Sequence, residues 1–334
     1  MRLSVKIAFV ALCLLQLSCS GEGEKKRVLV ASKGLPSELL LVADEKVWNS
    51  DLKDSLNAIV EAQVPGLMQA EKLFRVTSIT SRNYSPTHTT FHTKLLVKLD
   101  RTLKAPLMGI KRNEYAVPQL ELLVAAPSVD TLRSFLSQNA DRIQEILTDF
   151  QIEKRVAQLK KKYSKMVYDR VKNHLGWIVH APENMQATKQ GVNFLWAGTN
   201  LVEKDLNLVL YTCNWSGEDL TDPLVFANLR DSVMQKNVPG ERPDQWMQTV
   251  REGEQNLPLV QTKVKMLDGR NVVEARGLWE MRNGALGGPF VCIASVDTIK
   301  KEVALAEGFV YSPSTEKRDL VRTMEAVLRT VRMK

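Results

Sequence analysis

The amino-acid sequence predicts an α+β fold made of two α/β-type domains joined by a long basic helix. Three observations support this prediction. An apolar strand, an amphipathic helix and further strands follow one another in the first third of the chain. A helical run then extends from Pro127 to Gly176, with apolar residues at spacings of three and four. From Val260 onward, strands and turns alternate as an antiparallel meander that a last helix closes.

The chain begins with the pattern of a secretory signal. Two basic residues precede the apolar run from Ile7 to Leu15, which is too short to span a bilayer but has the length of a signal-peptide core. The following Leu-Gln-Leu-Ser before Cys19 resembles a bacterial lipobox, in which the cysteine is acylated. We therefore expect removal of residues 1–18, a lipid on Cys19 and a polar tether over residues 19–35. A signal cut elsewhere, without a lipid, is the alternative.

Residues 36–150 are predicted to form the first domain. Glu38 to Ala43 is an apolar strand, and Ser50 is a candidate N-cap for a helix from Asp51 to about Ala62. Further elements are expected as strands at residues 73–79, 91–99 and 120–125 and as a loop at residues 104–118. The order of strands and helices predicts an α/β layer.

The helical run has a candidate N-cap at Ser128 and a natural stop at Gly176. A helix much longer than about 25 residues without internal stops is unusual in a globular domain. We therefore expect two helices, separated at the weak helix formers from Gln138 to Asp141. Residues 151–176 would then form the helix that links the domains.

The linking helix is strongly basic, and its central cations are Lys160, Lys161 and Lys162. One interpretation is a solvated face around an apolar stripe. The other is attraction to an anionic lipid or polymer, which makes these three lysines candidate partner-binding residues.

Residues 177–334 are predicted to form the second, α+β domain. Its expected elements are strands at residues 177–180, 193–196 and 206–211, a helix at 224–235, meander strands at 260–266, 272–281, 290–296 and 302–311, and a helix at 314–332. The glycine-rich stretch that ends at Gly287, Gly288 and Pro289 is predicted as a hairpin turn at the edge of the meander. Such loops often make contacts, so these residues are further candidates for partner binding.

Several short segments of the first half recur, in the same order, in the second half. The paired segments are Glu38–Val42 with Asp205–Val209, Leu52–Leu56 with Leu229–Val233, Val64–Gly66 with Val238–Gly240, and Thr93–Arg101 with Thr262–Arg270. The order permits an internal duplication, and convergent helix and turn chemistry is the alternative.

Composition and cysteine usage exclude some classes of function. The net charge of +8 is spread over 334 residues, and no cluster of Arg and Lys is interleaved with aromatic residues, which argues against nucleic-acid binding. Beyond the predicted signal and Cys19, the cysteines are Cys213 and Cys292, both in strand-like runs. An oxidising envelope would permit a disulfide between them, and free buried thiols are the alternative.

The sequence contains no local signature of catalysis, such as a phosphate loop, a nucleophile elbow or a zincin helix. His88 and His92 have the spacing of a metal pair on a helix, but their neighbours favour an extended chain, in which they would lie about 13 Å apart. We therefore expect no metal and no cofactor. Glu274 shares a strand face with Arg276, so ion pairs are expected there rather than a catalytic carboxylate.

The lipobox and several later motifs together resemble a family of Bacteroidetes lipoproteins that has no assigned function. The later motifs are Val64–Gly66, Asn237–Gly240, Arg276–Trp279, Gly287–Phe290 and Glu307–Tyr311. This resemblance covers the mature chain and implies an envelope location but no chemistry. The order of elements is also similar to a PsbP-like layout, an analogy that says nothing of activity.

The resemblance also implies O-glycosylation at Asp-Ser or Asp-Thr followed by an apolar residue. Thr298, in a predicted turn, is the accessible candidate. The remaining matches, at Ser55, Thr131 and Ser232, fall in predicted helices.

These observations predict a lipid-anchored envelope protein that binds another protein or an envelope polymer without catalysing a reaction. The alternative is an envelope hydrolase whose site is assembled from both halves, with His92, Glu274 and Cys292 as candidate residues. A lipoprotein that carries a ligand in an apolar pocket is a third interpretation.

Overall fold

The computed structural model describes residues 28–333. Within them the chain forms a five-stranded sheet and an eight-stranded sheet, two small strand pairs and seven α-helices. The predicted α+β class, the antiparallel meander and the closing helix are confirmed. The predicted signal and Cys19 lie outside the described residues.

The N-terminal half is built on the five-stranded sheet. Its strands are β2 (Glu38–Ala43), β3 (Arg75–Thr80), β4 (Thr93–Leu99), β5 (Leu107–Arg112) and β7 (Leu120–Ala126), in the order β3-β2-β4-β7-β5. All are parallel except the edge strand β5, which falls in the stretch predicted as a loop. Parallel strands are covered on both faces, which explains why Leu39 to Val42 are apolar and buried at every position. Two short segments, β1 (Val30–Ala31) and β6 (Ala116–Val117), pair in parallel outside this sheet.

Helices cover one face of this sheet. They are α1 (Glu45–Trp48), α2 (Leu52–Val60) and α4 (Val129–Lys161). Their apolar residues form one core with the sheet, including Leu56, Leu95 and Leu136. Tyr84 and Phe91, which flank the short helix α3 (Pro86–Thr89), pack on the opposite face.

Helix α4 is a single helix of 33 residues, so the predicted break between Gln138 and Asp141 is wrong. It begins as predicted at Ser128, whose hydroxyl accepts the backbone N–H of Thr131 at 3.2 Å. Leu136 and Ile143 on either side of the expected break are both fully buried against the sheet. Tertiary packing therefore outweighs the weak helix propensity of the residues between them.

The break lies instead after Lys161. Lys162 has an extended backbone, and Ser164 caps a second helix, α5 (Lys165–Leu175), by accepting the N–H of Val167 at 3.3 Å. Helix α5 ends at Gly176, whose φ of 72° lies in the left-handed region, as predicted. The predicted linking helix thus corresponds to the last turns of α4 and the whole of α5.

The C-terminal half is built on the eight-stranded antiparallel sheet. Its strands are β8 (Ala187–Gly191), β9 (Phe194–Gly198), β10 (Asp205–Asn214), β11 (Met247–Thr249), β14 (Val260–Leu267), β15 (Arg270–Met281), β16 (Gly287–Asp297) and β17 (Glu302–Tyr311). The order is β11-β15-β16-β17-β10-β9-β8, with β14 paired to β15. Two short strands, β12 (Arg251–Glu252) and β13 (Leu257–Pro258), form a separate pair. The predicted strand at residues 177–180 is reduced to one bridge between Ile178 and Arg332.

Both faces of the eight-stranded sheet are covered. Helix α6 (Pro223–Asn237) packs on one face through Phe226 and Met234. Helix α5 and the closing helix α7 (Arg318–Thr330) pack on the other, where they meet the end of α4. The end of α4 therefore belongs to the core of the C-terminal half.

Gly287, Gly288 and Pro289 lie inside strand β16, paired with residues 278–280 of β15, and do not form the predicted turn. The turn occupies the preceding residues. Gly288 is required by close packing, because a Cβ atom there would collide with the carbonyl oxygen of Val310. The indole of Trp279 donates to the same carbonyl at 3.2 Å.

The two halves differ in topology, which argues against the internal duplication. In the first half β2 and β4 are parallel neighbours. Their proposed counterparts are β10 and β14, which lie in an antiparallel sheet with β15, β16 and β17 between them. The recurring segments thus reflect similar local helix and turn chemistry.

Side chains from the two halves meet at the start of α7. The carboxylate of Glu71 accepts the backbone N–H groups of Lys317 and Arg318 at 2.7 and 2.8 Å. Glu71 therefore caps this helix, although it precedes Lys317 by 246 residues in the sequence. In the same first turn, the carboxylate of Asp319 accepts hydrogen bonds from Arg75 and Arg155, both at 2.6 Å.

None of the helices in residues 28–333 has the length and apolarity needed to span a bilayer.

Candidate functional site

An open groove of about 630 Å³ lies where the end of α4 meets the β14–β15 hairpin and the end of α7. We call it the basic groove. Its floor is apolar and consists of Val156, Leu267, Val272, Ile293, Leu328 and Val331. Its rim carries Lys160, Arg270, Arg329 and Arg332 together with the acids Glu153 and Asp268. A largely apolar cavity of about this size with a few polar groups is typical of ligand sites.

The strand register explains the apolar floor. Val272 of β15 lies opposite Lys265 of β14, and Glu274 lies opposite Ile293 of β16. Because side chains alternate between the faces of a strand, Val272 and Ile293 point to the face that carries α7. The groove is the part of this face that α7 leaves open beyond its last turn.

The rim of the basic groove has an excess of unpaired positive charge. Asp268 is 2.9 Å from Arg332, and Glu153 is 2.6 Å from Arg112, which lies outside the groove. Each of these two acids is therefore already paired with an arginine. Lys160 and Arg270 have no carboxylate within 4.0 Å among residues 28–333.

A buried group of ion pairs lies beside the groove. We call it the Arg276 cluster, and it comprises Glu274, Arg276, Arg322 and Glu325. The guanidinium of Arg276 is 2.9 Å from Glu274 and also contacts Glu325, which is 2.9 Å from Arg322. The predicted ion pairing of Glu274 is present, and Lys265 adds a cross-strand contact at 3.4 Å.

The Arg276 cluster holds its carboxylates in the charged form. Burial acts to raise the pKa of Glu325, but Arg276 and Arg322 lower that pKa to about 2. Burial likewise acts to raise the pKa of Glu274, but the positive charges of Arg276 and Lys265 outweigh it, so that pKa is lowered. A general acid at neutral pH needs a raised pKa, so this arrangement is unsuited to acid catalysis.

The Arg276 cluster forms part of a second cavity, of about 550 Å³, which is lined by both halves. Helix α4 contributes Glu145 and Asp149, and strand β14 contributes Lys263 and Lys265. We call it the inter-half cavity. It is the place where a site assembled from both halves, as the hydrolase alternative requires, would lie.

A second buried ion pair, on the opposite face of the large sheet, escaped the sequence analysis. Arg230 of α6 donates to both carboxylate oxygens of Glu307 at 2.8 and 2.7 Å, and both side chains are fully buried. Arg230 also donates to the hydroxyl of Thr249 at 3.2 Å. Its guanidinium carbon lies 4.2 Å from the centre of the Phe290 ring. The spacing of Arg230 four residues after Phe226 places it on the apolar face of α6, and this signal could have identified it.

The histidines singled out in the sequence have structural partners. The Nε2–H of His92 donates to the carbonyl of Leu35 at 2.9 Å, and its Nδ1 accepts from Thr93 at 2.6 Å. His88 lies in α3, so the expectation of an extended chain there is wrong, and its Nδ1 accepts the N–H of Ser85 at 3.0 Å. Residues 28–333 contain no group of three or more His, Cys, Asp or Glu that could hold a metal ion.

Cys213 and Cys292 are both free thiols in the described part of the chain, so the disulfide is not formed. Strand β17 separates their strands, and the pairing places Cys213 beside Val303 but Cys292 beside Glu307. Two strand spacings exceed the Cα separation that a disulfide can bridge, which is about 7 Å. Burial raises the pKa of both thiols, that of Cys213 to about 11, which disfavours a nucleophilic thiolate.

The three predicted lysines have different surroundings. Lys160 lies on the rim of the basic groove, Lys161 is exposed and does not line it, and Lys162 is 2.7 Å from Glu183. Thr298 is exposed in the turn after β16, as the sequence predicted. Arg270, the other unpaired cation of the groove, was not singled out because its sequence neighbourhood is an ordinary hairpin turn.

Comparison with known proteins divides the chain at the junction of α4 and α5. Residues 164–330 match a family described as a domain of unknown function, DUF4837, and residues 32–160 match a second, DUF8532. The first match spans half of the chain, so the protein belongs to the DUF4837 family. No curated protein and no solved structure matches the chain, and the PsbP-like layout stays an analogy of element order.

Proposed function

We propose that the protein is a non-enzymatic binding module of the bacterial cell envelope, of the Bacteroidetes lipoprotein type, held at the membrane by a lipid on Cys19. The basic groove supports this proposal most directly, because it combines an apolar floor with two cations, Lys160 and Arg270, that have no acidic partner in the described chain. Apolar contacts supply affinity in such a site, and unpaired charges supply orientation and specificity. The groove would bind or assemble with an envelope component.

The chemistry of the remaining polar groups also supports binding rather than catalysis. Glu274, in the inter-half cavity, has a lowered pKa. Cys292, which is buried in the core under α6 and does not line that cavity, has a raised pKa. Both shifts oppose the roles of general acid and nucleophile. His92 has both ring nitrogens engaged by Leu35 and Thr93.

Metabolic labelling tests the lipid anchor. In a bacterium that exports lipoproteins, labelled palmitate should be incorporated into the wild-type chain and lost in Cys19→Ala. The matched control is Cys13→Ala, which removes a cysteine of the apolar run and should keep the label. Label retained in Cys19→Ala would refute the lipobox assignment.

Crosslinking in the native membrane tests the binding role. The lipidated protein should crosslink to an envelope component, and Lys160→Glu or Arg270→Glu should weaken the crosslink in a salt-dependent way. Lys161→Glu makes the same change of charge outside the groove and should leave the crosslink unchanged. The proposal fails if the protein hydrolyses an ester, peptide, glycoside or phosphate probe and one substitution at His92, Glu274 or Cys292 abolishes that turnover.

A further inference from the structure

We infer that the basic groove binds a single-chain amphiphile with an anionic head group, such as an alkyl phosphate or a fatty carboxylate. This inference rests on the proposed binding function and names the class of ligand for the same groove. The ligand's tail would lie on the apolar floor, and its head would lie between Lys160 and Arg270.

The floor favours an aliphatic chain over a peptide. Its six apolar side chains come from α4, β14, β15, β16, α7 and the residue that follows α7, and Ser295 adds one hydroxyl beside them. A peptide laid on this surface would bring a backbone N–H and C=O at every residue, and the floor offers few partners for them. An alkyl chain has no such groups, so it gains from burial without that cost.

The rim favours an anionic head. Arg332 and Arg329 are already paired, with Asp268 and Asp149 respectively, and Glu153 is engaged by Arg112. Lys160 and Arg270 are the rim cations that remain unpaired among residues 28–333. A phosphate or carboxylate would accept charge-assisted hydrogen bonds from both, whereas a cationic head would be repelled.

Two methionines make the location of binding measurable. Met266 and Met333 line the groove, whereas Met108 and Met234 pack in the two cores away from it. A ligand in the groove should therefore shift the methyl resonances of the first pair and leave those of the second pair in place.

The experiment uses a chain that lacks residues 1–19, so that no acyl group of its own competes; the described fold lies entirely within the remaining chain. Dodecyl phosphate is titrated below its micellar concentration, with affinity measured by calorimetry and location by the methionine methyl resonances. Inorganic phosphate provides the head alone, and dodecyltrimethylammonium provides the same tail with the opposite charge. We expect saturable one-to-one binding of dodecyl phosphate that is at least about tenfold tighter than that of either comparison compound.

Three variants and one control, Lys161→Glu, locate the residues that determine binding. Arg270→Glu and Lys160→Glu should each weaken binding by about tenfold, while Lys161→Glu should change it by less than about twofold. Ala157→Trp should block the floor, because Ala157 is an exposed residue that lines the groove. Unchanged melting temperatures of these surface variants show that the fold is retained.

The inference is overturned if dodecyltrimethylammonium binds equally well, or if neither Arg270→Glu nor Ala157→Trp alters the affinity. Binding to anionic vesicles without binding to monomeric dodecyl phosphate would also overturn it, because that result describes adsorption to a membrane surface. If dodecyl phosphate does not bind but the crosslink in the native membrane still forms and depends on Lys160, the inference about the amphiphile is wrong. The proposed binding function would not be contradicted by that result.

Discussion

At the scale of single residues, the buried polar side chains are held in defined charge states by their neighbours. His92 is 1% exposed and lies in a hydrogen-bonded series, in which Gln151 donates to Thr93 and Thr93 donates to the ring. Burial, and to a smaller extent the ammonium of Lys154, lower the pKa of His92 to about 4. The imidazole is therefore neutral in the folded protein at neutral pH.

The pH dependence of stability should reflect this histidine. The unfolded chain binds the proton at its ordinary pKa of 6.5, and the folded chain binds it only near 4. The contribution of His92 is therefore complete above pH 6.5 and lost as the pH falls toward 4, by about 3 kcal/mol in all. Urea unfolding at pH 7 and pH 4.5 should show a smaller loss in His92→Gln than in the wild type. An equal loss in both proteins would mean that other groups cause the acid sensitivity.

The pair of Arg230 and Glu307 yields a second prediction at this scale. Burial acts to lower the pKa of Arg230, but the carboxylate of Glu307 more than offsets it, so that pKa is raised and the guanidinium stays charged. Glu307→Gln would leave this buried cation with one carboxylate neighbour, Asp231 at 3.3 Å, and should lower the free energy of unfolding by about 3 kcal/mol. The double variant Arg230→Met, Glu307→Leu should lose less, because it removes both charges. This account would be contradicted if denaturant unfolding gave a lower free energy of unfolding for the double variant than for Glu307→Gln.

At the scale of secondary-structure elements, helix α7 depends on a residue that is remote in sequence. Its N-cap position is Lys317, which provides no side-chain cap, and Glu71 satisfies the first N–H groups instead. Glu71 is buried, and its carboxylate also interacts favourably with the positive end of the helix dipole. The N-terminal half therefore stabilises the closing helix of the C-terminal half.

Removal of this cap should be measurable. Glu71→Ala should lower the free energy of unfolding by about 1–2 kcal/mol and increase amide exchange in the first turn of α7. Glu254→Ala, which removes an exposed carboxylate in a turn, is the matched control and should have little effect. Exchange in α7 that is equal in the two variants would show that Glu71 does not cap the helix.

At the scale of the whole molecule, the two halves are held together by a continuous helix and by ion pairs around Asp319. Its carboxylate accepts from Ser37 and Arg75 of the first half and from Arg155 of α4. Burial opposes a charged carboxylate, but these hydrogen bonds outweigh it and lower the pKa of Asp319. The resulting contribution to stability is present above the ordinary pKa of 3.8 and is lost as the pH falls through the lowered value.

Asp319→Asn should therefore weaken the coupling between the halves more than it weakens either core. We expect calorimetry to show one cooperative transition in the wild type and a broader or double transition in the variant. Asp297→Asn, at the half-buried end of β16, should keep the single transition, because among residues 28–333 its carboxylate accepts hydrogen bonds from Ile299 and Lys300 of the adjacent turn and none from the N-terminal half. A single sharp transition in Asp319→Asn would mean that α4 alone is sufficient to couple the halves.

Features that depend on neighbouring residues in the chain could be predicted from the sequence. Strand β2 and strand β17 occupy the predicted residues, because an apolar run and a bounded strand pattern are local signals. The start of α4 at Ser128 and the end of α5 at Gly176 were also predicted, because caps act on the adjacent turn.

Features that depend on partners far apart in the chain were decided by the tertiary structure. Helix α4 continues through its weak segment because Leu136 and Ile143 pack on a sheet. Gly288 belongs to a strand because it lies under Trp279 and beside Val310. The basic groove exists because the fold brings Lys160 of α4 near Arg270 of the β14–β15 hairpin. This proximity could not be predicted from the sequence, because periodicity and motifs describe residues within one element and not the contacts between different elements.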